Sequence, residues 1–321
     1  MNKRFSGVLA AVFLALAIPA GSAHAGYPEK TVSMVVPFPP GGRTDLVARL
    51  VGQYMSKQLA EPVVIVNKGG AGGVLGSKDV ARAHPDGYTL GFFSTAVVTA
   101  QYTVPTPTSL GDYVGVSVVN IDPMALAVRQ NAPWKDLKEL VAYGREHPKK
   151  LRVGMIPGAS AQIFAAAFAK AANLQVTYVP FKGDADGAAA LAGGHIDVHV
   201  AVPVSYNALV DAGKVRMLGV AAESRSPMYA DLPTFRENGV DLVIGSFHAV
   251  YAPRDTPRDV LLVLENAAQK AMRDPALLEQ MKAAGLGHAS MNLKESAAFI
   301  ADQDAVYREV IEAAGMRVTP R

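Results

Sequence analysis

The sequence predicts an α/β protein of two lobes, each a mainly parallel sheet flanked by helices. Three observations carry that prediction. Short β-branched runs alternate with stretches of helical period, joined by turns rich in Gly and Pro. The chain has 321 residues, more than one ordinary hydrophobic core needs. The alternation also breaks off and restarts after Asp122-Pro123, as it would where the chain leaves one sheet for another.

The first residues read as a processing signal. Lys3 and Arg4 precede an apolar run from Val8 to Ile18, then the breakers Pro19 and Gly21, then the small-x-small triplet Ala23-His24-Ala25. A bilayer span needs about 20 apolar residues, more than this run supplies. Cleavage before Gly26 would remove two basic and no acidic residues, leaving 29 basic against 28 acidic. A near-neutral chain without a Lys/Arg block does not suit a nucleic-acid partner. Hydrophobic residues at 50% and charged residues at 18% exclude a disordered protein. With no cysteine, disulfides, thiolate nucleophiles and iron–sulfur clusters are excluded too.

Along the mature chain, Thr31 to Val36 is a β-rich run stopped by Pro37-Phe38-Pro39-Pro40-Gly41-Gly42. Thr44 to Leu59 follows with helical period, Leu46, Val47, Leu50, Val51, Tyr54 and Met55 forming one stripe. Pro62 to Asn67 reads as a parallel strand covered on both faces, because its apolar run is unbroken. A glycine turn at Gly69–Gly73 leads to a second helix ending near His84, and Tyr88 to Phe93 is the third strand. Beyond Pro123 the expected helices are Trp134–Glu146, Ala161–Ala172, Asp184–Ala192 and Val204–Ala212. The expected strands are Leu151–Ile156, Val176–Val179, His195–Val200 and Val215–Ala221. From Pro257 the chain is mostly helical, with breaks at Pro275 and Gly285. Crossings between lobes fall near Asp122–Ala127 and Gly245–Tyr251. The lobes are then residues 26–123 with 248–321, and 124–247.

Several chemical motifs fail on spacing. The Gly69–Gly76 stretch misses the G-x-G-x-x-G pattern, since Leu75 stands where the third glycine belongs. Gly158-Ala159-Ser160-Ala161-Gln162 ends in Gln where a nucleophile elbow needs Gly. His195 and His199 are four residues apart on an extended strand, too far to share a metal easily. Neither a cofactor nor a metal is implied.

Three turns suit an anion instead. Pro39-Pro40-Gly41-Gly42-Arg43-Thr44-Asp45 enters a helix, where open backbone N–H groups and the dipole favour a carboxylate. Gly158-Ala159-Ser160 and Phe181-Lys182-Gly183-Asp184 likewise pass from strand to helix, and Lys182 would add positive charge. In open α/β sheets ligands bind at the carboxyl ends of strands, so such turns from two lobes can face one cleft.

The stretch Val36-Pro37-Phe38-Pro39-Pro40-Gly41-Gly42-Arg43-Thr44-Asp45-Leu46-Val47-Ala48-Arg49 resembles the opening of the Bug proteins, extracytoplasmic solute receptors of tripartite tricarboxylate transporters. Asn67-Lys68-Gly69-Gly70-Ala71-Gly72-Gly73, Pro85-Asp86-Gly87-Tyr88, Val179-Pro180-Phe181-Lys182-Gly183, Ala230-Asp231-Leu232-Pro233-Thr234 and Ala252-Pro253-Arg254-Asp255-Thr256-Pro257 agree in order. The resemblance implies a periplasmic binding protein of type II topology that delivers a small organic acid to membrane permease subunits, itself a monomer. It places Phe38, Pro40, Gly41, Gly42, Thr44 and Asp45 in the first wall, with Ser94 or Thr95 beside them. Gly158, Ala159, Ser160, Phe181, Lys182 and Gly183 form the other wall, supported by Asp197, with Phe247 where the family carries Trp.

Departures bear on the ligand. Phe181 stands where the family commonly has Tyr, and Asp184 and Asp186 follow Gly183 where a proline-containing stretch is usual. An aromatic acid, an aliphatic dicarboxylate and an amino acid all remain open. Two other roles do as well: a sensor feeding a signalling partner, and a periplasmic hydrolase using Ser160 or His248.

Overall fold

The computed structural model describes residues 26–105, 108–156, 160–181 and 183–318. The expected signal segment, and Gly158, Ala159 and Lys182 of the expected site, lie outside these residues.

The chain builds two five-stranded sheets. In the first, β1 (Val32–Val36), β2 (Val63–Asn67) and β3 (Thr89–Ser94) are parallel, and β4 (Tyr113–Pro123) completes the edge. In the second, β6 (Arg152–Met155), β7 (Thr177–Pro180) and β8 (Val198–Ala201) are parallel, with β9 (Val215–Val220) at the edge. Each sheet takes in one strand that has just arrived from the other lobe. β5 (Ala125–Arg129) enters the second sheet and β10 (Gly245–Pro253) the first. The orders β2-β1-β3-β10-β4 and β7-β6-β8-β5-β9 are therefore the same pattern used twice. The inserted strand runs antiparallel to both neighbours, so each sheet has four strands one way and one opposed. This is the two-lobed α/β architecture expected, with type II strand order.

The crossings lie side by side. Met124 N donates to Ile244 O at 3.2 Å, Ile244 N to Ala221 O at 3.0 Å, and Ala221 N to Met124 O at 2.7 Å. β10 joins the first sheet from Gly245, ahead of the expected 248.

The helices that follow strands cover the sheets. On the first lobe these are α1 (Arg43–Leu59), α2 (Val74–Ala81) and α3 (Thr95–Thr103). On the second they are α4 (Leu137–Glu146), α5 (Ser160–Ala171), α6 (Asp184–Ala192) and α7 (Asn207–Asp211). The C-terminal third gives α8 (Arg258–Ala271), α9 (Pro275–Ala283) and α10 (Leu293–Ala313), which return to the first lobe, α10 also touching α5.

Some local expectations need correction. α1 packs on the face of β2 that carries Val63 and Ile65, and Val64 on the other face is 47% exposed, so the strand is not covered on both faces. Leu46 of the expected α1 stripe faces outward, and Ala48 and Leu59 take part in the buried face instead. α4 starts at Leu137, not Trp134. Arg216 donates to the carbonyls of Ala132, Trp134 and Lys135, which fixes that stretch as loop, and Asp136 caps Glu139 N at 2.9 Å. β8 starts at Val198, three residues after His195, and a 3₁₀ turn at Pro203–Tyr206 precedes α7.

Candidate ligand-binding site

The first wall is the turn from β1 into α1. Pro40, Gly41 and Gly42 are exposed there, and Phe38 and Thr44 are half-buried. Gly41 has φ of 85°, a left-handed conformation that only glycine adopts without strain. Its N–H donates to Asp45 Oδ2 at 2.9 Å. The same carboxylate accepts from Arg49 Nε at 2.9 Å and from Asn67 Nδ2 at 2.9 Å, and Asn67 Nδ2 also reaches Phe38 O at 3.1 Å. Burial by itself would raise the Asp45 pKa. The hydrogen bonds from Arg49, Gly41 and Asn67 outweigh it and hold the carboxyl below its usual range. Asp45 is thus a charged strut that fixes the shape of the turn.

Gly42 is the N-cap of α1, and no side chain caps that helix. The N–H groups of the first turn and the positive end of a 17-residue helix are left for a partner. A Cβ on Gly42 would meet only Pro39 O, at 3.9 Å, so the fold itself leaves open space there.

Behind this wall lies a buried polar chain. Thr44 Oγ1 is 3.1 Å from His248 Nε2, His248 Nδ1 is 2.6 Å from Asn120 Oδ1, and Asn120 Nδ2 donates to Gly287 O at 2.6 Å. Because the Asn120 amide hydrogens face Gly287, its oxygen accepts from His248 Nδ1–H, and His248 Nε2 then accepts from Thr44. Burial lowers the His248 pKa to about 4, so the ring is neutral at pH 7.

Ser94 caps α3, its side chain accepting from Ala96 N at 3.4 Å. Thr95 and Phe247 were expected at the cleft surface, yet both are fully buried. Thr95 Oγ1 accepts from Phe247 N at 2.9 Å, and the Phe247 ring packs edge-on against Phe299 at 5.2 Å. They brace the crossing strand.

The turns expected to form the second wall lie at the carboxyl ends of β6 and β7. Ser160 opens α5, and Phe181 N donates to Met155 O at 2.8 Å, tying the next turn to the end of β6. Gly183 is the N-cap of α6, again without a side-chain cap, and a Cβ there would meet nothing within 4 Å among the described residues. The two walls therefore share a device: an uncapped helix entrance with a glycine facing open space.

Asp197 belongs elsewhere. It immediately precedes β8 and forms a bidentate pair with Arg152 at the start of β6, with N–O distances of 2.9 and 2.8 Å. That is the amino end of the parallel strands, about 10 Å along β6 from Met155 at 3.3 Å per residue. The small cavity beside it is lined by Arg129, Trp134, Arg152 and Ile196. Asp197 cannot support the second wall directly. Asn120, Asp122 and His248, by contrast, stand close to the first wall. Asn120 and Asp122 flank a crossing and carry no other sequence signal, whereas His248 is also the histidine weighed for a hydrolase.

The sequence profile of the tripartite tricarboxylate transporter family receptors matches residues 47–316. A UPF0065 protein encoded in the TAR-I ttuE-ttuC' intergenic region of Agrobacterium vitis is 33% identical over 290 residues, covering 89% of this chain and 83% of the relative. The crystal structure of a solute-binding protein from Polaromonas superposes with a TM-score of 0.84 at 29% identity, covering 89% of this chain and 99% of that one. A protein of Rhodopseudomonas palustris with bound malate gives 0.69 at 29% identity, covering 89% and 100%.

Proposed function

Because the chain belongs to the tripartite tricarboxylate transporter receptor family, we propose that it captures a small carboxylate-bearing organic acid in the periplasm and delivers it to the membrane permease of such a transporter. Family and fold are those of solute receptors. The observation that carries the ligand class is the pair of open helix entrances at Gly42 and Gly183, whose N–H groups suit an anion. A malate-bound relative of the same fold supports it.

In this reading Phe38, Pro40, Gly41 and Gly42 touch the acid from the first lobe. Gly158, Ala159, Ser160, Phe181, Lys182 and Gly183 touch it from the second. Thr44, Asp45, Ser94, Thr95 and Phe247 hold the first wall in place. The lobes are residues 26–123 with 248–321 and residues 124–247, sheet membership favouring Gly245 as the return point. They close about Met124 and Ile244, and the closed monomer presents both faces to the permease.

Micromolar affinity requires roughly −8 kcal/mol, within reach of several charge-assisted hydrogen bonds in a desolvated cleft. Calorimetry of refolded, ligand-stripped protein against a panel of aromatic, aliphatic and amino acids tests the reading. Saturable binding of one class is expected, and heats no larger than dilution across the panel would defeat it.

A further inference from the structure

Arg43 is the cation that α1 sends toward the second lobe. It follows Gly42 directly as the first residue of the helix. Its Nε donates to Asp122 Oδ2 at 3.1 Å, and its Nη2 lies 2.6 Å from the same oxygen and 3.4 Å from Gly285 O. Asp122 cannot swing away, because its other oxygen accepts from Gly287 N at 2.7 Å. The guanidinium is thus held by a nearly buried carboxylate, yet its side chain is 29% exposed and Nη1 donates to no described residue.

Its position is where the lobes meet. A Cβ on Gly285 would collide with Val204 of the second lobe. Arg43 and Asp122 both act electrostatically on the Tyr229 hydroxyl, which also belongs to that lobe and donates to Asn207 Oδ1 at 3.2 Å.

We propose that Arg43 is a specificity-determining residue, whose free Nη1 face receives a second carboxylate of a ligand already held by its first at the entrance of α1. The proposal rests on the carboxylate-receptor reading and narrows it to dianionic acids. A guanidinium fixed in one orientation loses little freedom on taking up another carboxylate. On the opposite wall Asp186 stands in the first turn of α6 and disfavours a second negative group there. A second negative group is therefore better placed on the Arg43 side.

The test is calorimetry on ligand-stripped protein with linear dicarboxylates of increasing length and the matching monocarboxylates. Arg43→Met keeps the stem without the charge, and Arg43→Lys keeps the charge without the fork. Wild type should prefer a dicarboxylate, the ratio of the two affinities falling at least tenfold in Arg43→Met and recovering in part in Arg43→Lys. A wild type without preference overturns the proposal. So does an Arg43→Met protein in which both affinities fall together, because an ion pair that only shapes the wall would act that way. Monocarboxylate binding would leave the receptor reading standing in either case. Loss of every acid from wild type would remove that reading and this one with it.

Discussion

The Thr44 hydroxyl lies 3.1 Å from His248 Nε2, and this contact joins the entrance of α1 to the strand that returns from the second lobe. Three further groups complete it: Asn120, the Gly287 carbonyl and, through Gly287 N, Asp122. The α1 entrance is thereby tied to the crossing segments through a short chain of hydrogen bonds.

Thr44→Val should expose the importance of that link. The substitution preserves shape but leaves His248 Nε2 buried without a donor, at a cost of about 1–3 kcal/mol. Thr44→Ser keeps the hydroxyl and should stay near wild type. Urea unfolding at pH 7 measures the difference, and equal midpoints for the two variants would show that the bond contributes nothing.

Acid should weaken the fold before its carboxylates titrate. Burial lowers both His248 and His199 to about 4 from 6.5. Above pH 6.5 neither histidine is protonated in either state. Between 6.5 and 4 the unfolded chain takes up protons that the folded chain refuses, so stability falls as pH falls, and below 4 the loss from these groups levels off. Each shift corresponds to about 3–4 kcal/mol at most, taking 1.4 kcal/mol per unit. Melting should drop clearly from pH 7 to pH 5, and the drop should shrink in His248→Gln. A flat profile over that window would mean the rings are solvated.

Gly41 and Gly42 can be separated by experiment. Gly41 needs its glycine for backbone reasons, so Gly41→Ala should cost about 1 kcal/mol through its positive φ. Gly42 has φ of −80° and room for a Cβ. Gly42→Val should fold like wild type yet weaken acid binding tenfold or more, by blocking approach to the helix amides. Unchanged affinity would reduce the turn to a connector.

Much of this was legible in the sequence, because turn chemistry and periodicity are local. The β1–α1 turn, the restart after Pro123 and the helix at Asp184–Ala192 all follow from neighbouring residues. What escaped depends on partners far along the chain. The exposure of Val64 depends on which face of β2 a helix covers, and α1 packs on the face of Val63 and Ile65. That Asp45 is shared by Arg49 and Asn67 is likewise invisible in the sequence around the turn, since Asn67 comes from β2. Asp197 lies close in sequence to the second-wall turns, yet pairing with Arg152 places it at the other end of the strands.

His199 supplies the last prediction. The ring is fully buried on β8, Nδ1 is 3.0 Å from Tyr206 Oη, and Nε2 has no hydrogen-bond partner among the described residues. It fits because Gly154 and Gly187 lack side chains. A Cβ on Gly187 would collide with Nε2, and one on Gly154 would lie 3.0 Å from Cδ2. Gly187 is in α6, whose entrance belongs to the proposed second wall. Gly187→Ala should therefore destabilise by about 1–3 kcal/mol through overpacking and displace that wall, weakening acid binding. Shortening the ring in Gly187→Ala/His199→Ala should recover part of both. A double-mutant cycle in which the two changes simply add would show that α6 does not rest on the imidazole.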